Sequence, residues 1–235
     1  MNGSPGWSFA IDRGGTFTDI VARDPKGRTQ VRKVLSQPPC RDPAAGAAPD
    51  PAVAALRDLL DLPPDQPIPA GLVQEVRLGT TVATNALLER QLTPVLLLVN
   101  RGLADLVSIG DQQRRDLFAL ELLRPDPLPL RVLEVEGRLG ADGRELVPLR
   151  LDQALAAQIE QARAAGFTSL AVALLHSSRN PAHERALAAW LAQRGWPQVL
   201  LSHQVSPQPR LVPRLHTTLV EAAIRPVLQN YLQGL

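Results

Sequence analysis

The sequence predicts an α/β protein in which a short antiparallel meander gives way to β/α units built on a mixed sheet. Three observations carry that prediction. Strand-length runs at the N-terminus are separated only by tight Gly- and Pro-containing turns. Downstream, short apolar runs such as Pro94–Val99 and Ser169–Leu175 alternate with stretches of helical period. The 22 prolines concentrate in three clusters, Gln37–Pro51, Leu62–Gly71 and Arg124–Pro129. Proline lacks an N–H and fixes φ, so those clusters are connectors rather than element interiors.

Taken in order, Trp7–Asp12 and Phe17–Arg23 are strands joined by Arg13-Gly14-Gly15-Thr16, and Thr29–Leu35 is a third strand entered through Pro25-Lys26-Gly27. Val53, Leu56, Leu59 and Leu60 recur at helical spacing and predict a helix over Val53–Leu60. Glu75–Leu78 follows as a strand, Thr81–Arg90 as a helix and Pro94–Val99 as a buried strand. Asp105–Leu120 reads as helix and loop. Val132–Leu139 and Arg144–Pro148 read as a hairpin about Asp142-Gly143. A helix over Asp152–Ala165 has Asp152 as its cap and Gly166 as its stop. Ser169–Leu175 is a strand, Pro181–Arg194 a helix with proline in its first turn, and Gln198–Leu201 a strand. The last element, Leu211–Leu232, is a helix that Pro226 must kink or break. No internal repeat is present.

Composition excludes several functional classes. Basic and acidic side chains number 25 and 23, interspersed rather than in runs, and only eight aromatics are available for base stacking. Nucleic-acid binding is therefore not expected. No apolar run approaches the roughly 20 residues of a membrane span. Met1–Ser8 lacks the basic-then-apolar layout of a secretory signal, and the lone Cys40 suits a reducing compartment, so the expected location is cytoplasmic. Cys40 stands in a Pro-rich stretch with no histidine nearby, and Gly-x-Ser-x-Gly is absent, which removes thiol and serine hydrolase readings.

Four segments have the residue types that chemistry needs. In Ile11-Asp12-Arg13-Gly14-Gly15-Thr16-Phe17-Thr18-Asp19, adjacent glycines let backbone N–H groups converge on an anion. Thr16 and Thr18 are two apart on the expected strand, so both hydroxyls should face one side. Asp12 fits beside a phosphate only through a cation or an ordered water. A plain hairpin turn with a capping Asp is the competing reading. In Leu78-Gly79-Thr80-Thr81-Val82-Ala83-Thr84-Asn85 a strand runs into a helix start with Thr80 as its cap, and Thr81, Thr84 and Asn85 share a face near that end. A capped, packed helix accounts for the same residues without a ligand. The segment Leu175–Glu184, with His176, His183 and Glu184, meets no zinc spacing and is read as structural. Arg210 and Arg214 fit either an anionic partner or a solvated helix edge.

Together IDRGGTFTDI, LGTTVATNALLER, RGLADLVSIGDQQRRDLF, ALLHSSRNPAHE and VSPQPRLVPRLHTT resemble, in order from Phe9 to Leu235, the N-terminal region of the hydantoinase/5-oxoprolinase family. Arg13 after the Asp, and the stretch around His216, resemble its 5-oxoprolinase branch. The resemblance implies an actin-like, ribonuclease H-type ATPase fold, with residues 1–100 as the phosphate-binding subdomain and 101–235 as its α/β continuation. It implies ATP and Mg²⁺, with K⁺ as a further candidate, and ATP-driven opening of 5-oxo-L-proline to L-glutamate. It gives Asp12 the catalytic and Mg²⁺-organising role through water. Gly14, Gly15, Thr16 and Thr18 become phosphate ligands supported by Asp19, with Gly79, Thr80, Thr81 and Asn85 along the cleft. Such ATPases close the nucleotide between two domains, and no second Gly-Gly-Thr follows Gly15. The expectation is therefore one part of an enzyme, inactive alone, that takes a small cyclic amide and needs a second ATPase half or partner subunit. A homodimer is one option for the full enzyme. A hydantoinase or carboxylase subunit, and a non-catalytic remnant or assembly module, are the alternatives.

Overall fold

A computed structural model describes residues 6–36, 50–63, 66–112, 118, 128–196 and 198–234. Cys40, most of the first proline cluster and, of Asp105–Leu120, residues 113–117 and 119–120 lie outside them. The chain divides into one unit of residues 1–90 with 227–235, and a second of residues 91–226.

The first unit is a four-stranded sheet with the order β3-β2-β1-β4. Strands β1 (Trp7–Arg13), β2 (Phe17–Arg23) and β3 (Thr29–Leu35) form the expected antiparallel meander. Asp24 makes its second turn: Oδ1 accepts from the N–H groups of Lys26 and Arg28 at 2.9 and 2.8 Å. Helix α1 (Pro51–Leu59) begins earlier than its apolar spacing suggests, because Asp50 caps it by accepting from Ala52 N at 2.9 Å and Pro51 occupies its first turn. It lays Ala52, Ala55, Leu56 and Leu59 over Phe9, Ile11, Ile20 and Ala22. Strand β4 (Val73–Thr80) then pairs with β1 in parallel, in a mixed sheet, and α2 (Val82–Leu88) follows at once.

The second unit is a parallel sheet, β10-β9-β5-β6, made of β5 (Val95–Asn100), β6 (Leu130–Val135), β9 (Ser169–Ala173) and β10 (Leu200–Leu201). Alternate residues of the central strands serve opposite faces, which is why these strands are apolar throughout. Leu96, Leu98, Leu170 and Val172 pack on α4 (Gln153–Ala164) and α5 (Ala182–Ala192). Val95, Leu97, Val99, Ala171 and Ala173 pack on Leu211, Leu215 and Leu219 of α7 (Leu211–Gly234). The short helices α3 (Leu106–Ile109) and α6 (Ser202–Val205) complete the unit.

One expectation is corrected here and another is narrowed. The hairpin over Val132–Leu139 does not form as one piece: its first half is β6, and only β7 (Arg138–Leu139) pairs with β8 (Glu145–Val147). The chain leaves the sheet at Gly137, whose carbonyl accepts from Asn100 Nδ2 at 2.6 Å. Of the two outcomes expected at Pro226, a break of α7 does not occur. The proline's missing N–H frees the carbonyl four residues earlier, that of Ala222, and this oxygen accepts instead from Ser169 Oγ at 2.7 Å. Leu211, Leu215 and Leu219 are buried, Val227 and Leu228 half-buried, and Leu232 exposed.

Candidate functional site

The two glycine-containing motifs read separately in the sequence meet in the first unit. Because β1 and β4 are parallel neighbours, with Asp12 beside Gly79 and Arg13 beside Thr80, both chains leave the sheet at the same end. The junction is bonded. Thr81 donates from its N–H and its hydroxyl to the Arg13 carbonyl at 3.0 and 3.2 Å, and Asn85 Nδ2 donates to Thr81 Oγ1 at 3.3 Å.

Close approach explains two of the glycines. A Cβ on Gly15 would stand 3.0 Å from Asn85 Nδ2, and one on Gly79 would stand 3.4 Å from Asp12 Oδ1. Gly14 closes the turn by donating to the Phe17 carbonyl at 3.0 Å.

The acidic residues are differentiated. Strand alternation puts Asp12 on the exposed face, opposite the side where Phe9 and Ile11 are buried. Among the described residues, none forms a hydrogen bond or ion pair with the Asp12 carboxylate. Asp19 lies opposite it on β2 but is engaged by Lys33 Nζ at 2.9 and 3.2 Å. One free carboxylate at the mouth of a glycine turn fits Mg²⁺, which keeps most of its waters and takes few protein ligands.

Two details differ from expectation. Thr16 and Thr18 do not present their hydroxyls together: Thr16 precedes β2 and is exposed, whereas Thr18 is 1% exposed, on the core face with Ile20 and Ala22. Its hydroxyl is bonded to Ser36 Oγ at 3.0 Å. Nor is Thr80 the cap residue of α2. Thr80 stays in β4, Thr81 takes the cap position, and the Thr80 hydroxyl accepts from Val82 N at 3.2 Å.

Three residues that sequence reasoning missed hold the turn from behind. Ser36, 3% exposed, donates from Oγ to the Gly14 carbonyl at 2.8 Å and from its N–H to the Thr16 carbonyl at 2.8 Å. Asp50 pairs with Arg13 Nη1. Tyr231 lies with its ring centroid 4.7 Å from the Arg13 guanidinium, and burial pushes its phenol above the ordinary tyrosine value against the opposing Arg13 charge. Only the β2–β3 register, which sets Leu35 opposite Phe17, brings Ser36 level with Thr16.

The other two segments form no open site. Glu184 and Arg214, both 0% exposed, share Ser202 in the second unit. Ser202 Oγ donates to Glu184 Oε1 at 2.6 Å and accepts from Arg214 Nε at 2.9 Å. Glu184 also accepts from Leu174 N at 2.9 Å and binds His203 Nδ1 at 2.5 Å, while Arg214 Nη2 donates to the Leu174 carbonyl at 2.8 Å. Burial lowers the Arg214 pKa, with Glu184 opposing. His183 Nε2 is bonded to Glu145 Oε1 at 2.7 Å, and Arg210 is exposed. Among the described residues, no group of three His, Cys, Asp or Glu is placed to hold a metal, and no helix is long and apolar enough to cross a membrane.

Comparison with known proteins gives these features a family. Residues 8–195 match the profile of the hydantoinase/oxoprolinase N-terminal region. The 5-oxoprolinase 1 of Arabidopsis thaliana is 35% identical over 251 residues, covering 96% of this chain and 19% of the plant protein. The alpha subunit of the Pseudomonas jessenii caprolactamase is 32% identical over 237 residues, covering 97% of this chain and 32% of the subunit. The crystal structure of that ATP-dependent caprolactamase superposes with a TM-score of 0.71 over 96% of this chain and 32% of its own. An acetone carboxylase, a protein of ATP-dependent acetone carboxylation, shares the fold with a TM-score of 0.73 at 23% identity, over 97% of this chain and 33% of its own. The chain thus spans about a fifth of the plant relative and about a third of the caprolactamase subunit and of the acetone carboxylase chain. The profile match extends over most of the chain and includes both glycine motifs, so the chain belongs to the hydantoinase/oxoprolinase family and carries its N-terminal region.

Proposed function

We propose that this chain is the first phosphate-binding half of an ATP-dependent cyclic-amide hydrolase of the 5-oxoprolinase type, inactive without a second ATPase half or partner subunit. The observation that supports it best is the meeting of the two glycine motifs beside the Asp12 carboxylate, which none of the described residues engages. In this reading Gly15 and Thr16 meet the phosphate oxygens, since the Gly14 N–H is already bonded, and Gly14 shapes the turn. Thr18 contributes through Ser36, Asp19 supports with its charge balanced by Lys33, and Gly79, Thr80, Thr81 and Asn85 form the adjoining wall.

An amide carbonyl is a poor electrophile. Passing the γ-phosphoryl group to its oxygen, with release of ADP and the N–H proton, turns it into an imidate phosphate. Water then adds at that carbon, the ring C–N bond breaks, and a further water releases phosphate from the resulting acyl phosphate. Mg²⁺ held by the Asp12 carboxylate through water would supply charge neutralisation during phosphoryl transfer. The protein contributes fixed N–H donors and a fixed carboxylate, which is positioning rather than covalent chemistry.

Two of the relatives support a cyclic amide as substrate, since one is a 5-oxoprolinase and another a caprolactamase. The test assembles the chain with the polypeptide encoded directly downstream and follows ATP-dependent release of glutamate from 5-oxoproline, with hydantoin in parallel. Glutamate release supports the proposal. ATP hydrolysis driven by hydantoin alone assigns another substrate, and no nucleotide use with any cyclic amide removes the enzymatic reading.

A further inference from the structure

Arg13 is the one cation inside the glycine motif, and a cation there is ordinarily taken for a phosphate ligand. Its surroundings argue otherwise. Strand alternation turns it away from the exposed side of Asp12, and its side chain is 14% exposed. Nη1 pairs with Asp50, whose other oxygen caps α1. Nη2 donates to the Ser36 carbonyl at 2.8 Å, and the guanidinium lies 4.7 Å from the Tyr231 ring centroid. The charge is balanced, two terminal nitrogens are engaged and one face is covered. Meanwhile the main-chain carbonyl of the same residue receives the N–H and hydroxyl of Thr81. Arg13 therefore ties the end of the meander, the start of α1, the start of α2 and the end of α7 to one point, next to the most flexible dipeptide of the motif.

We propose that Arg13 is a positioning residue of the phosphate turn, acting with Tyr231 as its seat, and not a ligand of the nucleotide. Glycine N–H groups stabilise a developing charge only if they are already oriented when it forms. Two consecutive glycines have little stiffness of their own, so the orientation comes from what grips the residues beside them. Tyr231 acts through its ring face, which a phenylalanine retains and a leucine does not. The assignment rests on the ATP reading of the same site.

The test has two arms. In the ligand-free chain, amide hydrogen exchange over Gly14–Phe17 is expected to speed up about tenfold in both Arg13→Ala and Tyr231→Leu, and to stay at the wild-type rate in Tyr231→Phe. In the enzyme assembled with its downstream polypeptide, Arg13→Ala and Tyr231→Leu are expected to lower kcat about tenfold with little change in KM for ATP, and Tyr231→Phe to restore it. Effects that do not add in the double variant mark a shared device. A raised KM with unchanged kcat in Arg13→Ala, together with a silent Tyr231→Leu, makes Arg13 a phosphate ligand and overturns the proposal. Unchanged exchange in both variants overturns it as well. If Arg13→Ala leaves Asp50 unpaired and fails to fold, the Tyr231→Leu and Tyr231→Phe pair decides. An assembly that uses no ATP refutes the site reading, and the exchange arm then still reports whether the brace exists.

Discussion

The side-chain amide of Asn85 occupies the space that a Cβ on Gly15 would need, 3.0 Å from that point. The two residues belong to motifs seventy positions apart, and this contact makes one site of them.

Substitution at Gly15 should therefore act through Asn85. Gly15→Val is expected to reduce ATP turnover by about a hundredfold and Gly15→Ala by about tenfold, with Asn85→Ala recovering part of the Gly15→Ala loss. Steady-state kinetics of the four variants check it. Simple additivity of Gly15→Ala and Asn85→Ala would show that the contact has no functional weight.

Ser36 carries the turn from its buried side. Ser36→Ala leaves the Gly14 carbonyl and Thr18 hydroxyl without that partner, and should cost ~1–3 kcal/mol in urea unfolding. Thr18→Val removes one bond but keeps the shape of the side chain, so a loss under ~1.5 kcal/mol is expected, with ATP use retained. Loss of ATP use at full stability in Thr18→Val would instead make Thr18 a ligand.

In the second unit, Arg214→Ala strands Glu184 and should destabilise by ~3–5 kcal/mol. Glu184→Gln combined with Arg214→Met should recover part of that loss, because no charge is then left buried without its partner. Denaturant unfolding of the two variants tests the difference.

Asp24 predicts a pH dependence. Burial pushes its carboxyl up, but hydrogen bonds from the Arg28 side chain and from the Arg28 and Lys26 N–H groups outweigh it, so its pKa lies below the ordinary value. A depressed folded pKa contributes stability that is present above the unfolded value of ~3.9 and fades as the pH falls through the lower folded one. Thermal unfolding from neutral to strongly acidic pH should show a shallower acid loss in Asp24→Asn than in the wild type. Identical slopes would remove Asp24 from the acid response.

Much of the fold was legible in the sequence because it rests on local signals. The meander turns, the Asp152 cap and the continuous apolar runs of β5 and β9 are each written in a few adjacent residues. What was not legible depends on pairing at a distance. Ser36 matters through the β2–β3 register, Tyr231 through the return of α7, and Asp50 through the packing of α1. That α7 runs unbroken through Pro226 depends on such a distant partner too: the hydroxyl that satisfies the freed Ala222 carbonyl comes from Ser169, in a different strand. The glycine motifs were visible singly, but their meeting follows from the parallel pairing of β1 with β4, which neither motif announces.

In the proposed site Asp12 serves the nucleotide while Asp19 only supports it. ATP turnover by the enzyme assembled with its downstream polypeptide tests this directly in Asp12→Ala and Asp19→Asn. A loss of about a thousandfold or more is expected in Asp12→Ala, and less than about tenfold in Asp19→Asn, because Lys33 already balances the Asp19 charge. Near-normal turnover in Asp12→Ala would contradict it.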